Sequence, residues 1–482
     1  MPSRPERPAR PPDAPAPVVL YRPRGRSRSL PLSLVHVGSA LRGRRVVLVD
    51  GQLDLAPEAR VVELARDALC LGLSVPTGEA ILDALGISRA AKSVRPDLPV
   101  IWGGWHASQA PDLCLASGVV DACVAGPGEG AIAEIVKALD AGLLLGAVRG
   151  VTWRCGGEVV RNPARPPEPA GAFPRADFGL LELERYFRWH GARRIDYCSS
   201  RNAAPARRPA DAPDAGPAWT ALPAARVVAE VLELVERHKV SELCFVDADF
   251  FVDEGRAAAV ASGFLEQRVR VEWRASGGWE RLARRSDEHL KLLRAAGCRR
   301  IDVHLALEPP TAGARGALEP LIEFGRRLHG LGIGASFSFL AGIPGEAPSR
   351  LSEIHRAARK LRGIDARFDT VIALFAPYPG SEVGEGRFTA RRVEDWSRVD
   401  PAHALGPWTP AAARRWVPRY NFYLRHGYER PERGVGRHLL HWIARARNWT
   451  GFYRLDLERR GVELVRRWRA GLGSPLPTPI EE

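Results

Sequence analysis

Three kinds of residue in this chain could carry chemistry. The first is cysteine, at positions 70, 114, 123, 155, 198, 244 and 298. No CxxC or CxxxC pair occurs among them, which argues against a disulfide framework and against an ordinary structural zinc site. Most lie in apolar surroundings and read as buried thiols. The second is a set of carboxylates, Asp247, Asp249, Asp253 and Glu308. They could form a metal or acid/base site, but a rim of carboxylates pairing with the many arginines is the preferred reading. His304, close by in sequence, reads as a satisfied interior histidine. The third is a pair of glycine-rich turns, Gly103-Gly104-Trp105-His106 and Gly126-Pro127-Gly128-Glu129-Gly130. Glycine lets the backbone approach a flat or phosphorylated ligand closely, because no Cβ intervenes. No nucleophile elbow, HExxH or P-loop is present, and no metal site is expected.

The elements around the glycine turns repeat in one pattern. Strand-like apolar runs at Val18–Tyr21, Val46–Asp50, Ala68–Ser74, Pro99–Trp102 and Ala122–Ala125 alternate with helical stretches at Pro31–Leu41, Glu79–Val94 and Ala131–Ala141. Strands and helices at this spacing imply a parallel sheet, whose ligand sits at the carboxyl ends of its strands. No GxGxxG follows the first strand, which disfavours a dinucleotide. Gly150–Pro163 reads as a hairpin turning at Gly156-Gly157, followed by a proline-rich linker. Further βα units then repeat, with strands at Arg194–Cys198, Glu242–Asp247, Val269–Ala275, Arg300–Glu308, Ala335–Gly342 and Arg367–Ala376. Amphipathic helices lie between them, such as Ala224–Lys239 with Val227, Val231, Leu234 and Val235 on one face. Six such units imply a partial (βα)6 barrel with its site at the strands' carboxyl ends.

Over Val18–Leu145, the succession TGEAI, PVIW, GGWH and VDACVAGPGEG resembles the cobalamin-binding domain of cobalamin-dependent radical SAM enzymes. The resemblance implies a cobalamin cofactor held at Ser74, Thr77, Gly103, Gly104, His106, Gly126, Gly128 and Glu129. The Asp-x-His-x-x-Gly arrangement that gives other cobalamin folds a lower histidine ligand is absent. His106 lies in a different turn, so a nucleotide-tail or structural hydrogen bond is expected of it rather than cobalt ligation.

Downstream, FVDADFFVDEGR, LALEPP, FLAGIPGE and PYPGSEV stand in order at barrel spacing and resemble the same family to about residue 390. By that resemblance SAM, if retained, would meet Asp247, Asp249, Glu308, Gly342 and Pro344. The family's first barrel strand ends in Ser-Arg-Gly-Cys and continues as CxxxCxxC, whose thiolates hold an iron–sulfur cluster. Here Ser200-Arg201 is followed by Asn202-Ala203, and the three cysteine positions fall on Ala203, Arg207 and Ala210. An iron–sulfur cluster is therefore not expected, and neither is radical chemistry.

Composition bounds the rest. The chain has 482 residues and a net charge of +14. Of its 70 basic residues 65 are arginine, scattered rather than clustered, so nucleic acid is not an expected partner. No long apolar run or signal-type leader appears, which predicts a cytoplasmic protein without a membrane partner. The expected organisation is a disordered lead-in (1–16), a Rossmann-like cobalamin-binding domain (17–148), a hairpin and linker (149–185), a radical-SAM-like α/β barrel (186–390) and a helical C-terminal extension (391–482). Two functions compete. One is a pseudoenzyme or partner subunit of an active paralogue. The other is a cluster-independent cobalamin- and SAM-dependent methyltransferase-like enzyme, with a small-molecule or peptide substrate that the sequence does not name.

Overall fold

The computed structural model describes residues 15–25, 27–201, 219–305, 318–379, 388–399, 406–429, 431 and 435–471. They form two compact units, residues 1–246 with 377–400, and residues 247–376 with 401–482.

The first unit is built on a seven-stranded sheet. Its strands are β1 (Val18–Arg22), β2 (Val46–Asp50), β3 (Cys70–Ser74), β4 (Val100–Gly103), β5 (Ala122–Val124), β6 (Val151–Cys155) and β7 (Glu158–Arg161), in the order β2-β1-β3-β4-β5-β6-β7. β1 to β5 pair in parallel, and β6 and β7 add antiparallel. Val18, Val19, Leu20 and Tyr21 of β1 are all buried, as a central strand covered on both faces must be. The hairpin that reads as a separate piece in the sequence is thus the edge of this sheet. The edge strand β7 blunts itself with exposed Glu158 and Arg161. The order reverses at β1, between β2 and β3, and such switch points open a crevice at the strands' carboxyl ends.

The same unit contains β8 (Arg194–Tyr197), the two-residue β9 (Ser200–Arg201) and β10 (Thr220–Ala221), and β11 (Glu242–Phe245). β8 and β11 pair in parallel, while β9 and β10 pair antiparallel. Residues 393–398 form a 3-10 turn packed on the Ala80–Val94 helix, with Arg89 Nη2 3.3 Å from Glu394 Oε1.

The second unit holds β12 (Glu272–Gly278), β13 (Cys298–His304), β14 (Gly334–Ala341) and β15 (Phe368–Leu374), each parallel to the next. Helices Asp287–Ala295, Glu319–Gly330 and Pro348–Ile364 connect them. All six expected βα strands are therefore present. Two corrections concern their ends. The strand expected over Val269–Ala275 runs instead over Glu272–Gly278, because Val269 N donates to Phe264 O and Arg268 has φ +53, which closes the preceding helix. The strand expected to reach Asp247 stops at Phe245, leaving the aspartates on the loop beyond it. Helices Ala411–Tyr428, Val435–Thr450 and Leu457–Gly471 form the helical C-terminal region. Asn421 of the first binds both backbone groups of Ile372 on β15, at 3.0 and 2.8 Å. The α/β class and the helical end expected from the sequence are those observed.

Candidate functional site

The switch-point crevice of the first unit is an open cleft of about 170 Å³. Its floor is apolar and small: Leu20, Gly72, Leu73, Ile101 and Val124, from the ends of β1, β3, β4 and β5. Its rim is Ser33, Ser74, Gly103, Gly104, Gly126, Pro127, Gly128 and Glu129. Gly104 has φ +89, and a Cβ there would stand 3.1 Å from Val75 N and 3.2 Å from Ser74 Oγ. At Gly72 a Cβ would come within 2.9 Å of Leu20 Cδ2. These glycines keep the crevice open. The helix over Glu129–Asp140 starts two residues earlier than its apolar pattern suggests, so Glu129 becomes its first residue, where a carboxylate suits the helix dipole. A cleft that is open, apolar at its base and glycine-edged lets a flat ligand approach its backbone closely.

Six of the eight sequence-derived cofactor positions line this cleft. Thr77 and His106 do not. His106 is fully buried, with Nδ1 3.1 Å from Thr77 Oγ1 and its ring edge-on to Trp396 at 5.9 Å. The pair holds the turn from behind. Beside it lies a thiol pair that the sequence did not single out. The hydrogen bond from Cys123 and then the His106 ring lower the Cys114 thiol against the effect of burial, while Cys123 is pushed up.

Sequence reasoning also missed Arg201. This residue of β9 lines the cleft, and its Nη2 lies 2.6 Å from Oε1 of Glu129, itself 6% exposed. The guanidinium stands 5.1 Å from the Phe173 ring centre, and its Nη1 is 3.6 Å from Cys198 Sγ. Its membership of the Ser-Arg dipeptide was the available signal. Its partner lies 72 residues away, and no local pattern encodes that. Behind Arg201, His36 is buried, with neither ring nitrogen hydrogen-bonded among the described residues. Burial first, then the charges of Arg201 and Arg226, pushes His36 down to about 3.

The SAM-type positions belong to the second unit. Asp249 is 2% exposed, and its carboxylate accepts from Phe251 N (2.9 Å) and Gly278 N (3.2 Å). Asp247 is equally buried, and its carbonyl accepts from Ser276 Oγ at 2.8 Å. Asp253 caps the Glu254–Glu266 helix through Arg256 N. Gly342 (φ +80) and Pro344 form a tight turn in which Gly342 N donates to Glu346 Oε2 at 2.6 Å, and burial raises the Glu346 carboxyl. Backbone amides thus engage the carboxylates of Asp249, Asp253 and Glu346. Among the described residues no group of three or more His, Cys, Asp or Glu could hold a metal. Glu308 and the positions Ala203, Arg207 and Ala210 lie outside the described residues.

Residues 26–136 match the model of the B12 binding domain family. An uncharacterized methyltransferase of Pyrococcus horikoshii is 23% identical over 425 residues, 82% of this chain and 88% of that protein. The anaerobic magnesium-protoporphyrin IX monomethyl ester cyclase of Rubrivivax gelatinosus is 26% identical over 63% of this chain and 56% of its own length. The radical S-adenosylmethionine methyltransferase TsrM of Kitasatospora setae, solved with cobalamin and a [4Fe-4S] cluster, superposes with TM-score 0.63 at 17% identity, over 89% of this chain and 99% of TsrM. The cobalamin-dependent S-adenosylmethionine radical enzyme OxsB gives 0.57 at 19%, over 71% and 52%. The chain therefore contains a B12-binding domain and has the fold of these cobalamin-dependent radical SAM proteins. Among the described residues no helix is long and apolar enough to cross a membrane.

Proposed function

We propose that this chain binds cobalamin but no iron–sulfur cluster, and that it serves as a pseudoenzyme or as the partner subunit of an active enzyme. The observation carrying the reading is the glycine-edged cleft inside a B12-binding domain, combined with a sequence that has Ala203, Arg207 and Ala210 where cluster thiolates would stand. Alanine and arginine offer no ligand to iron. The one thiol nearby, Cys198, donates to Ser200 O at 3.0 Å.

Cobalamin supplies, when bound, a cobalt centre able to accept and pass on a methyl group. The chain's own part is to hold it. Ser74, Gly103, Gly104, Gly126, Gly128 and Glu129 would contact it, with Ser33 and Arg201 at the same rim. Thr77 and His106 would support the Gly103-Gly104 turn from behind. At the SAM-type positions, Gly342 and Pro344 keep the turn that would accept a nucleoside, whereas the Asp249 carboxylate is engaged by two amides. That favours a binding role over catalysis.

The test is cobalt and iron content after anaerobic expression with cobalamin: about one cobalt per chain and almost no iron is expected, and about four irons per chain would sink the reading. One observation favours a second reading, a cluster-independent methyltransferase: the relative aligned over 82% of this chain is described as a methyltransferase. It requires transfer of a methyl group from SAM to cobalamin in the purified protein, and no transfer leaves the binding role.

A further inference from the structure

The Arg201–Glu129 pair poses a specific electrostatic problem. Glu129 is a carboxylate at 6% exposure on the rim of an otherwise apolar cleft. Any large ligand that fills the cleft strips away what water it still touches. An unpaired carboxylate would then be a buried charge, which is strongly unfavourable, whereas a matched pair or two neutral groups of the same shape are tolerated. Arg201 meets that requirement. Among the described residues that line the cleft, it is the one cationic side chain. Its guanidinium is fixed by the 2.6 Å contact to Glu129, by Phe173 beneath it, and by the β9–β10 ladder in which Arg201 pairs with Thr220.

We propose that Arg201 is a positioning residue for the cofactor. By neutralising Glu129 at the mouth of the cleft, it allows a bulky corrinoid to cover that carboxylate. The strand that introduces the former cluster loop thereby serves the cofactor domain. This inference rests on the cobalamin reading above, but it concerns which residue makes the cleft electrically fit to be filled.

The test is equilibrium titration of the full-length protein with hydroxocobalamin, followed by the absorbance of the cofactor, with circular dichroism to check folding. The proteins are wild type, R201K, R201M, E129Q and R201M/E129Q. R201K, which keeps the charge, should bind within about threefold of wild type, and R201M should bind at least about tenfold more weakly. The double variant, with both charges removed by groups of similar shape, should recover most of that loss. Equal binding by R201M and wild type would overturn the inference, and so would a double variant as weak as R201M. If R201M does not fold, E129Q and the double variant decide: E129Q leaves the guanidinium unpaired and should bind more weakly than R201M/E129Q, and binding by E129Q equal to or tighter than the double variant overturns the proposal. Failure of the wild type to bind hydroxocobalamin would instead bring down the cobalamin reading itself.

Discussion

His36 shows how strongly the interior of the first unit treats a single titratable group. An unfolded histidine takes a proton near 6.5, whereas burial and two guanidinium groups hold the folded His36 near 3. Between those values the unfolded chain binds more protons, so stability rises with pH. The contribution is complete above about 6.5 and is lost as pH falls toward 3. His355 in the second unit behaves alike, buried and stacked on Tyr420 at 3.8 Å, with burial then Arg359 bringing it to about 3. Urea unfolding should therefore show stability falling from pH 7 to pH 4.5, each histidine adding up to about 1.4 kcal/mol per pH unit. His36→Gln should flatten that slope, and an unchanged slope would refute the assignment. At this same scale the sequence was least legible. It carried His106 at the cofactor turn with a nucleotide-tail or structural hydrogen bond expected of it, and only the structure shows its buried ring beside Thr77, outside the cleft lining.

At the scale of elements, the turns after β4 and β5 behave differently although both are glycine-rich. Gly104 has φ +89 with backbone 3.1 Å from any Cβ, whereas Gly126 has φ +74 and open space around it. Gly104→Ala should cost about 2–4 kcal/mol of stability, combining left-handed strain with the clash, and should abolish hydroxocobalamin binding. Gly126→Ala should cost only about 1–2 kcal/mol, from strain alone. Matching losses from the two variants would contradict this distinction. A second element-scale device is Asn421, whose side-chain amide pairs with both backbone groups of Ile372 on β15. Asn421→Ala leaves those groups without a partner from the helix and should destabilise the second unit by about 1–3 kcal/mol, read as an earlier denaturant midpoint. No change in midpoint would mean that the clamp contributes nothing.

For the molecule as a whole, ligand binding and folding are linked. A protein that binds cobalamin only when folded gains about 2.7 kcal/mol at a hundred times the dissociation constant. Saturating hydroxocobalamin should therefore raise the melting temperature of the first unit, and an absence of any shift at concentrations that titrate the absorbance would rule out binding to the folded state. If the transitions of the two units separate, only the one containing the cleft should move.

The sequence by itself determined the α/β class, the parallel pairing of the first five strands and the glycine turns at their ends. These follow from local rules: apolar period, strand length, and glycine where a turn needs it. The cysteine count and the residues at 203, 207 and 210 are likewise sequence facts, and they set the limits of the proposed chemistry. Only the tertiary structure decided that the Val151–Arg161 hairpin closes the first sheet, that residues 393–398 pack on the Ala80–Val94 helix, and that Thr77 and His106 support the cleft without lining it. It also brought Arg201 to Glu129. Each of these joins groups far apart in the chain, and such contacts are selected by burial and by charge neutralisation in the folded state, which no local spacing records.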